Sequence, residues 1–474
     1  MMSITTKGTS AALLALTLAA CGGDDGGGAL DASVDATDAM PAIDAPDSLV
    51  TVATVDETVN RALDLLLVVD NSGSLAEEQA SLAANLPALV NVLNTAPGGL
   101  PDLHVGVVST NVGTGGVQIG GCSTATRPEG DDGVLLTNGC PGLQATYLSD
   151  VRNPDGSRTR NCQGDLSSTL GCMVRLGTTG CGFEQPLEAM RRALTAGHNP
   201  GFLRPDALLG VVIMTDEDDC SATLGGGLFG DPNATSTSVL GPRTSFRCFE
   251  WGVQCAGDPN PRAFGARTGC APRVGSPYLP TVDGYVGFLR GLKANPRDVA
   301  VATIAGDVDA THGAVVGPDP DDPTRAALQP SCQSAAGDAA PAIRLRAFLD
   351  GFPDRAVSTT VCNDNLADAL TEIGRGLRRA QGSPCIDRTL ADTDPAAPGV
   401  QLHCEVTQYE EHGGVRTNPT TIPSCDAAAA PCWRLGSDPL QCPSTPGNQR
   451  LQIDRPGPAP ADVVVEARCE VEPW

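Results

Sequence analysis

Aromatic side chains make up only 3% of the 474 residues, so any core this chain builds must be packed from aliphatic groups. Lysine is nearly missing, Lys7 and Lys293 being the only two. Positive charge is scarce altogether: 31 Lys and Arg stand against 56 Asp and Glu, for a formal net charge of -25. That balance argues against a basic surface that grips nucleic acid or an anionic membrane, and favours metal ions or cationic partners. Histidines number five and no two cysteines have C-x-x-C spacing, so a structural zinc site is not expected. The chain also lacks a G-x-S-x-G elbow, an H-E-x-x-H helix and a P-loop, and Asp70-Asn71-Ser72 lacks the second aspartate of an aspartyl-phosphate phosphatase. The usual carriers of hydrolytic and nucleotide chemistry are therefore absent, and the expectation is a protein that is not an enzyme. Metal-assisted hydrolysis is the residual catalytic possibility.

What is present begins at the N-terminus. Lys7, the apolar run ALLALTLAA and then Cys21 resemble a bacterial lipoprotein signal peptide over residues 1–21, with the lipobox Leu18-Ala19-Ala20-Cys21. The run is too short to span a bilayer. The resemblance implies export and a lipid on Cys21, and Gly22 in place of Asp at the next position implies the outer membrane, either facing the periplasm or exposed at the surface. Residues 22–59 begin with an acidic, small-residue stretch rich in Asp-Ala, which buries too little apolar area to order itself and reads as a flexible tether. In an exported protein the remaining 17 of the 18 cysteines are expected to form disulfides, with one thiol left over.

From 60 to 380, strand and helix patterns alternate, the mark of an α/β domain with a doubly wound, mostly parallel sheet and helices on both faces. Leu65–Val69, Leu103–Thr110, Leu208–Thr215, Val299–Ala305 and AVSTTVC read as strands. The stretch after Ser74 reads as an amphipathic helix, with Ser74 and Glu77 spaced as a capping box and Pro87 expected to kink or divide it. Long inserts rich in Gly, Pro and Cys fall near 111–176, 220–280 and 306–340. With parallel strands their loops leave the same sheet edge as Asp70. Residues 381–474 carry six cysteines and read as a small Cys-rich β domain.

At that edge Asp70, Ser72 and Ser74 form D-x-S-x-S after a buried strand, Thr178 lies in GTTG before a helix, and Asp216 ends a second buried strand in VVIMTDEDD. The ordered trio resembles the metal-ion-dependent adhesion site (MIDAS) of the von Willebrand factor A (vWA) family, and GTTGCGFEQPLEAM, FLRPDALLGVVIMTDEDDCS and VCNDNLADAL resemble vWA-domain lipoproteins of the bacterial envelope. The resemblance implies a divalent cation, Mg²⁺ or Mn²⁺ before Ca²⁺, held by Asp70, Ser72, Ser74, Thr178 and Asp216. It also implies one open coordination position for a carboxylate from a protein or other ligand. An EF-hand reading from Asp70 fails, because Leu75 stands where glycine is needed and Ser81 where glutamate is needed. The acids after Asp216, Glu217 to Asp219, read as a solvated rim. Cys181 and Cys220 follow the site loops closely and are expected either to pair with each other or each within its own insert; a similar argument joins Cys332 to Cys362. The function so implied is ligand binding through a cation on a lipid-anchored envelope protein. A structural envelope protein with a vestigial site is the alternative.

Overall fold

The computed structural model describes residues 50–472, apart from 56–59, 97–98, 224, 226, 258–259, 336, 383–384, 387, 398–400, 413–414, 440–441, 443–445 and 458–462. The signal peptide, Cys21 and the tether up to 49 lie outside the described residues. The principal elements are β1 (Val50–Val55), β2 (Ala62–Val69), α1 (Ala76–Asn94), β3 (Asp102–Ser109), β4 (Leu148–Arg152), β5 (Arg158–Arg160), α2 (Leu166–Met173), α3 (Pro186–Leu194), β6 (Leu208–Met214) and α4 (Phe246–Gly252). They continue with α5 (Val282–Arg290), β7 (Val299–Ala305), α6 (Ile343–Asp350), β8 (Ala356–Thr360), α7 (Ala367–Ala380), β9 (Cys404–His412), β10 (Val415–Ile422), β11 (Cys432–Ser437), β12 (Gln449–Asp454) and β13 (Val463–Glu470). Shorter ladders in the inserts are left unnumbered.

The main sheet has the order β8-β7-β6-β2-β3-β4-β5. Its first five strands run parallel, and β4 and β5 add an antiparallel edge drawn from the first insert. Counting β2, β3, β4, β6, β7 and β8 as one to six gives the order 3-2-1-4-5-6, which reverses direction between β2 and β6. In such sheets the crevice at the reversal, beyond the carboxyl ends of the strands, is the usual ligand site.

β2 shows why its sequence is apolar on both faces. Leu63, Leu65 and Leu67 pack with Leu86 and Leu89 of α1 and Leu370 and Ile373 of α7. Leu66 and Val68 point the other way, into Leu187 and Met190 of α3, Leu289 of α5 and Phe348 of α6. At roughly 1.5–3 kcal/mol for each such side chain buried, this two-sided packing fixes the strand's register and hence where Asp70 emerges.

α1 runs through Pro87 as one helix. The carbonyl that Pro87 cannot bond, that of Ala83, faces Gly171 of α2, whose missing side chain lets the second helix close over the gap: a Cβ there would stand 3.0 Å from the oxygen. The expected capping box is not formed. Leu75 is the N-cap and makes no side-chain cap bond, and the Ser74 hydroxyl turns to Ser72 instead.

Val50–Val55, expected within the flexible stretch 22–59, is a strand instead: β1 pairs antiparallel with β13 and completes the sheet β1-β13-β9-β10. This sheet has its own core around Val406, Ile422, Val465 and Ala467. The described part of the chain thus passes from the C-terminal sheet into the α/β layers and returns, and a reciprocal pair of hydrogen bonds between Asn60 and Gln381 closes the loop at 2.7 and 3.0 Å. The described residues fall within one compact unit. Among the described residues no helix is long and apolar enough to cross a membrane.

All six C-terminal cysteines are paired, as Cys385–Cys442, Cys404–Cys469 and Cys425–Cys432. In the inserts the bonds are Cys122–Cys181, Cys140–Cys172, Cys220–Cys248, Cys255–Cys270 and Cys332–Cys362. Cys181 and Cys220 are therefore not joined. Cys220 pairs inside its own insert, whereas Cys181 reaches back across the site to the first insert. Cys162 carries the remaining thiol.

Candidate metal centre

The β2–β6 register, with Val69 opposite Met214, brings Asp70 and Thr215 side by side at the sheet's carboxyl edge. The Asp70 backbone N–H donates to the Met214 carbonyl at 2.9 Å, extending the ladder by one residue. Asp70 is fully buried. Its carboxylate accepts from the Ser72 N–H at 2.7 Å and from the Thr215 hydroxyl at 2.8 Å, a turn that swings the Ser72 and Ser74 hydroxyls to within 3.1 Å of each other. The Ser74 hydroxyl also lies close enough to the Asp216 carboxylate to favour its charged form.

Thr178 sits in a loop fastened on both flanks. On one side Gln79 of α1 donates to the carbonyls of Asp70 and Gly177 at 2.8 and 2.9 Å and accepts from the Gly177 N–H at 3.1 Å. On the other, the Gly180 N–H donates to the Asn71 carbonyl at 2.8 Å. The approach there is so close that a Cβ on Gly180 would overlap Asn71. Thr178 and Thr179 are exposed between these pins. The structure thus gathers four of the five expected ligands, Asp70, Ser72, Ser74 and Asp216, directly, and holds the loop bearing Thr178 against the same strand end.

Burial governs the electrostatics. Loss of solvent, followed by the Asp216 carboxylate, pushes the Asp70 carboxyl up to about 8, despite opposing hydrogen bonds from Ser72 and Thr215. Burial likewise raises Asp216, with the Ser74 hydroxyl pulling back. Behind them Glu184 and Glu217 stand beside each other; burial raises both, Glu184 well above the carboxylate range and Glu217 to about 7. Among the described residues no Arg, Lys or His forms an ion pair with Asp70, Asp216, Glu184 or Glu217. Asp216 Oδ1 and Glu184 Oε2 are buried without a hydrogen-bond partner.

The acids after Asp216 are not a solvated rim. Asp218 accepts from the backbone N–H groups of Arg344 and Leu345, at 2.9 and 3.2 Å, and so caps α6. Asp219, fully buried, accepts from the Leu187 N–H of α3 at 3.1 Å and pairs with the Arg344 guanidinium at 3.0 Å. These acids serve the helix starts behind the site.

The inserts frame the crevice. Cys122–Cys181 fastens the first insert beside the threonine loop, and the Ala340 N–H at the end of the third donates to the Asp216 carbonyl at 2.8 Å. Sequence reasoning missed Gln79, Thr215 and Glu184. Thr215 directly precedes Asp216 at a strand end, which is a usable signal; Gln79 and Glu184 carry none outside the fold. A separate cluster, Cys425, Cys432 and Asp454, offers no cation site, since its two sulfurs are bonded to each other.

Fold and site define a class: a doubly wound α/β protein with hydroxyls and buried carboxylates gathered at its switch point. No protein-family model matches the chain, and no curated protein matches it. Solved structures similar to it include a von Willebrand factor type A protein from Catenulispora acidiphila, 11% identical over 91% of this chain and 67% of that one, with a TM-score of 0.29. BatB from Bacteroides thetaiotaomicron is 9% identical over 67% and 98%, with a TM-score of 0.26. The manganese-loaded TRAP protein of Plasmodium vivax is 11% identical over 69% and 76%, with a TM-score of 0.25. Values this low leave the site to be read from its own geometry.

Proposed function

We propose that Asp70, Ser72, Ser74, Thr178 and Asp216 hold a divalent cation, Mg²⁺ or Mn²⁺, in the manner of a vWA-type metal-ion-dependent adhesion site, and that the chain is a binding module rather than an enzyme. One observation carries the reading: Asp70 and Asp216 are buried together with no cationic side chain paired to either, and Asp216 Oδ1 has no partner at all. Buried carboxylates are normally paired or coordinate a metal. The donor set, hydroxyl and carboxylate oxygens alone, suits a hard cation.

When bound, the cation supplies positive charge at the crevice mouth and a position that a carboxylate of a protein or other ligand can fill. The residues do the rest. Asp70 orients the Ser72 turn through its backbone bond, Thr215 fixes the Asp70 carboxylate, and Gln79 and Gly180 hold the loop that carries Thr178. The N-terminal resemblance supports a place in the envelope, tethered by a lipid on Cys21 to the outer membrane, where such a module would meet partners.

Isothermal titration of Mg²⁺ and of Mn²⁺ into the purified chain, beside an Asp70→Ala, Ser72→Ala double variant shown by circular dichroism to be folded, tests the reading. Saturable binding that disappears in the variant is the expected result. Equal heats from both proteins, or none from either, would sink it.

A further inference from the structure

Behind the first site lies a group of oxygen donors that it does not use. At the ends of β3, β2 and β6, Val69 pairs with Ser109 on one side and Met214 on the other, so Thr110, Asp70 and Thr215 stand in a row one residue further on. Val108, Val68 and Ile213, two residues before them, all pack on the α3 side of the sheet, and strand alternation turns the row to that side too.

The segment that leads into α3 lies against this row. The Gln185 N–H donates to the Thr110 carbonyl at 3.1 Å, and the Glu184 carbonyl accepts from the Cys220 N–H at 2.8 Å. The Gln185 side chain donates to the Gly113 carbonyl at 2.6 Å and accepts from the Ala222 N–H at 3.1 Å. Glu184 is thus clamped between the chain leaving β3 and the chain leaving β6, beside Glu217. Glu217 is set by its own turn, its N–H donating to the Thr215 hydroxyl at 3.2 Å. Two buried groups here point to a ligand: Glu184 is 1% exposed and Thr110 0%, yet Glu184 Oε2 and the Thr110 hydroxyl make no hydrogen bond. Asp70 and Asp216 stand within electrostatic reach of Glu184. Asp70, Asp216, Glu184 and Glu217 together carry four negative charges when ionised, and one divalent ion at the first site offsets two of them. Buried carboxylates are normally paired or bound to a metal.

We propose that Glu184 and Glu217, with the Thr110 hydroxyl, hold a second divalent cation, Ca²⁺, behind the first site. Ca²⁺ accepts about six to eight oxygens in loose geometry and can take both oxygens of a carboxylate, whereas Mg²⁺ gives up its waters reluctantly. Thr110 and Glu184 are buried too deeply to leave Mg²⁺ those waters, and the half-buried Glu217 keeps a way in. Glu184 shares the connection between α2 and α3 with Thr178, and Glu217 follows Asp216, so the ion joins two loops of the first site. The charge count rests on the first-site reading; the position of the second site does not. The rival arrangement is a proton shared between Glu184 and Glu217, which needs no ion.

The test is calorimetric titration of Ca²⁺ into the purified chain in saturating Mg²⁺, with Glu184→Gln and the Asp70→Ala, Ser72→Ala double variant alongside. The parent and the double variant should each take up one Ca²⁺. Glu184→Gln should bind it at least about tenfold more weakly, since losing even an outer partner of a metal ligand costs that much. Failure of the first site leaves this result readable, because the double variant lacks that site by design. Ca²⁺ binding that is lost in the double variant, or kept in full by Glu184→Gln, overturns the proposal. No Ca²⁺ binding by the parent overturns it too and leaves the shared proton as the account. Should Glu184→Gln fail to fold, Glu217→Gln decides in its place.

Discussion

Replacing Asp70 by Asn should make the cation-free protein more stable and the cation irrelevant to it. The sign follows from the direction of the Asp70 shift. Its folded-state value, about 8, lies above the ordinary 3.8, so folding favours the protonated carboxyl and stability falls as pH rises between those two values. At neutral pH, with about 1.4 kcal/mol per pH unit, this sets a ceiling of about 4 kcal/mol on what the buried carboxyl costs the cation-free chain. Asparagine removes the titration and keeps the geometry: its amide oxygen accepts the Ser72 N–H, and its amide N–H can donate to the Thr215 hydroxyl, which retains the Glu217 carbonyl at 3.3 Å as its own acceptor. The assay is urea unfolding at pH 5, 7 and 8, in EDTA and in excess Mg²⁺. In EDTA the parent should weaken from pH 5 to pH 8 while Asp70→Asn falls less steeply and is the more stable at pH 7. A hundredfold excess of Mg²⁺ over its dissociation constant should restore about 2.7 kcal/mol to the parent and nothing to the variant. A variant less stable than the parent in EDTA at pH 7, or one that Mg²⁺ stabilises equally, would refute the reasoning.

Gln79→Leu removes three bonds that fasten Gly177 to the end of β2, and should weaken Mn²⁺ binding about tenfold by titration calorimetry while costing about 1–3 kcal/mol of stability. Gly180→Ala forces the threonine loop away from Asn71; weaker Mn²⁺ binding at unchanged secondary structure is expected, and unaltered affinity would show that the loop does not contribute a ligand. Gly374→Val acts elsewhere. A Cβ at this position on α7 would stand 2.9 Å from Val92 Cβ on α1, so the helices must part, at a cost of about 1–3 kcal/mol in urea unfolding, with cation affinity retained.

Much of the α/β framework was legible because each buried strand is a short apolar run closed by polar residues, and because Asp70, Ser72 and Ser74 are neighbours in the chain. Roles that depend on register were not. Thr215 meets Asp70 only because Val69 lies opposite Met214, and Asp218 and Asp219 look like surface acids until the α6 and α3 starts are brought onto them. The same holds for Cys181, whose partner was set by the path of an insert rather than by closeness in sequence. β1 escaped notice because six residues beside an acidic spacer say little, and its partner strand begins at Val463.

By itself, then, the sequence determined which segments must be buried, where their polar ends fall, and that oxygen donors cluster at one of those ends, since apolar runs and local spacing are properties of the chain alone. Tertiary structure decided which carboxylates lack a counter-charge and which loops are pinned to the site. Those are properties of register and packing, through which side chains far apart in the chain come to share one buried environment.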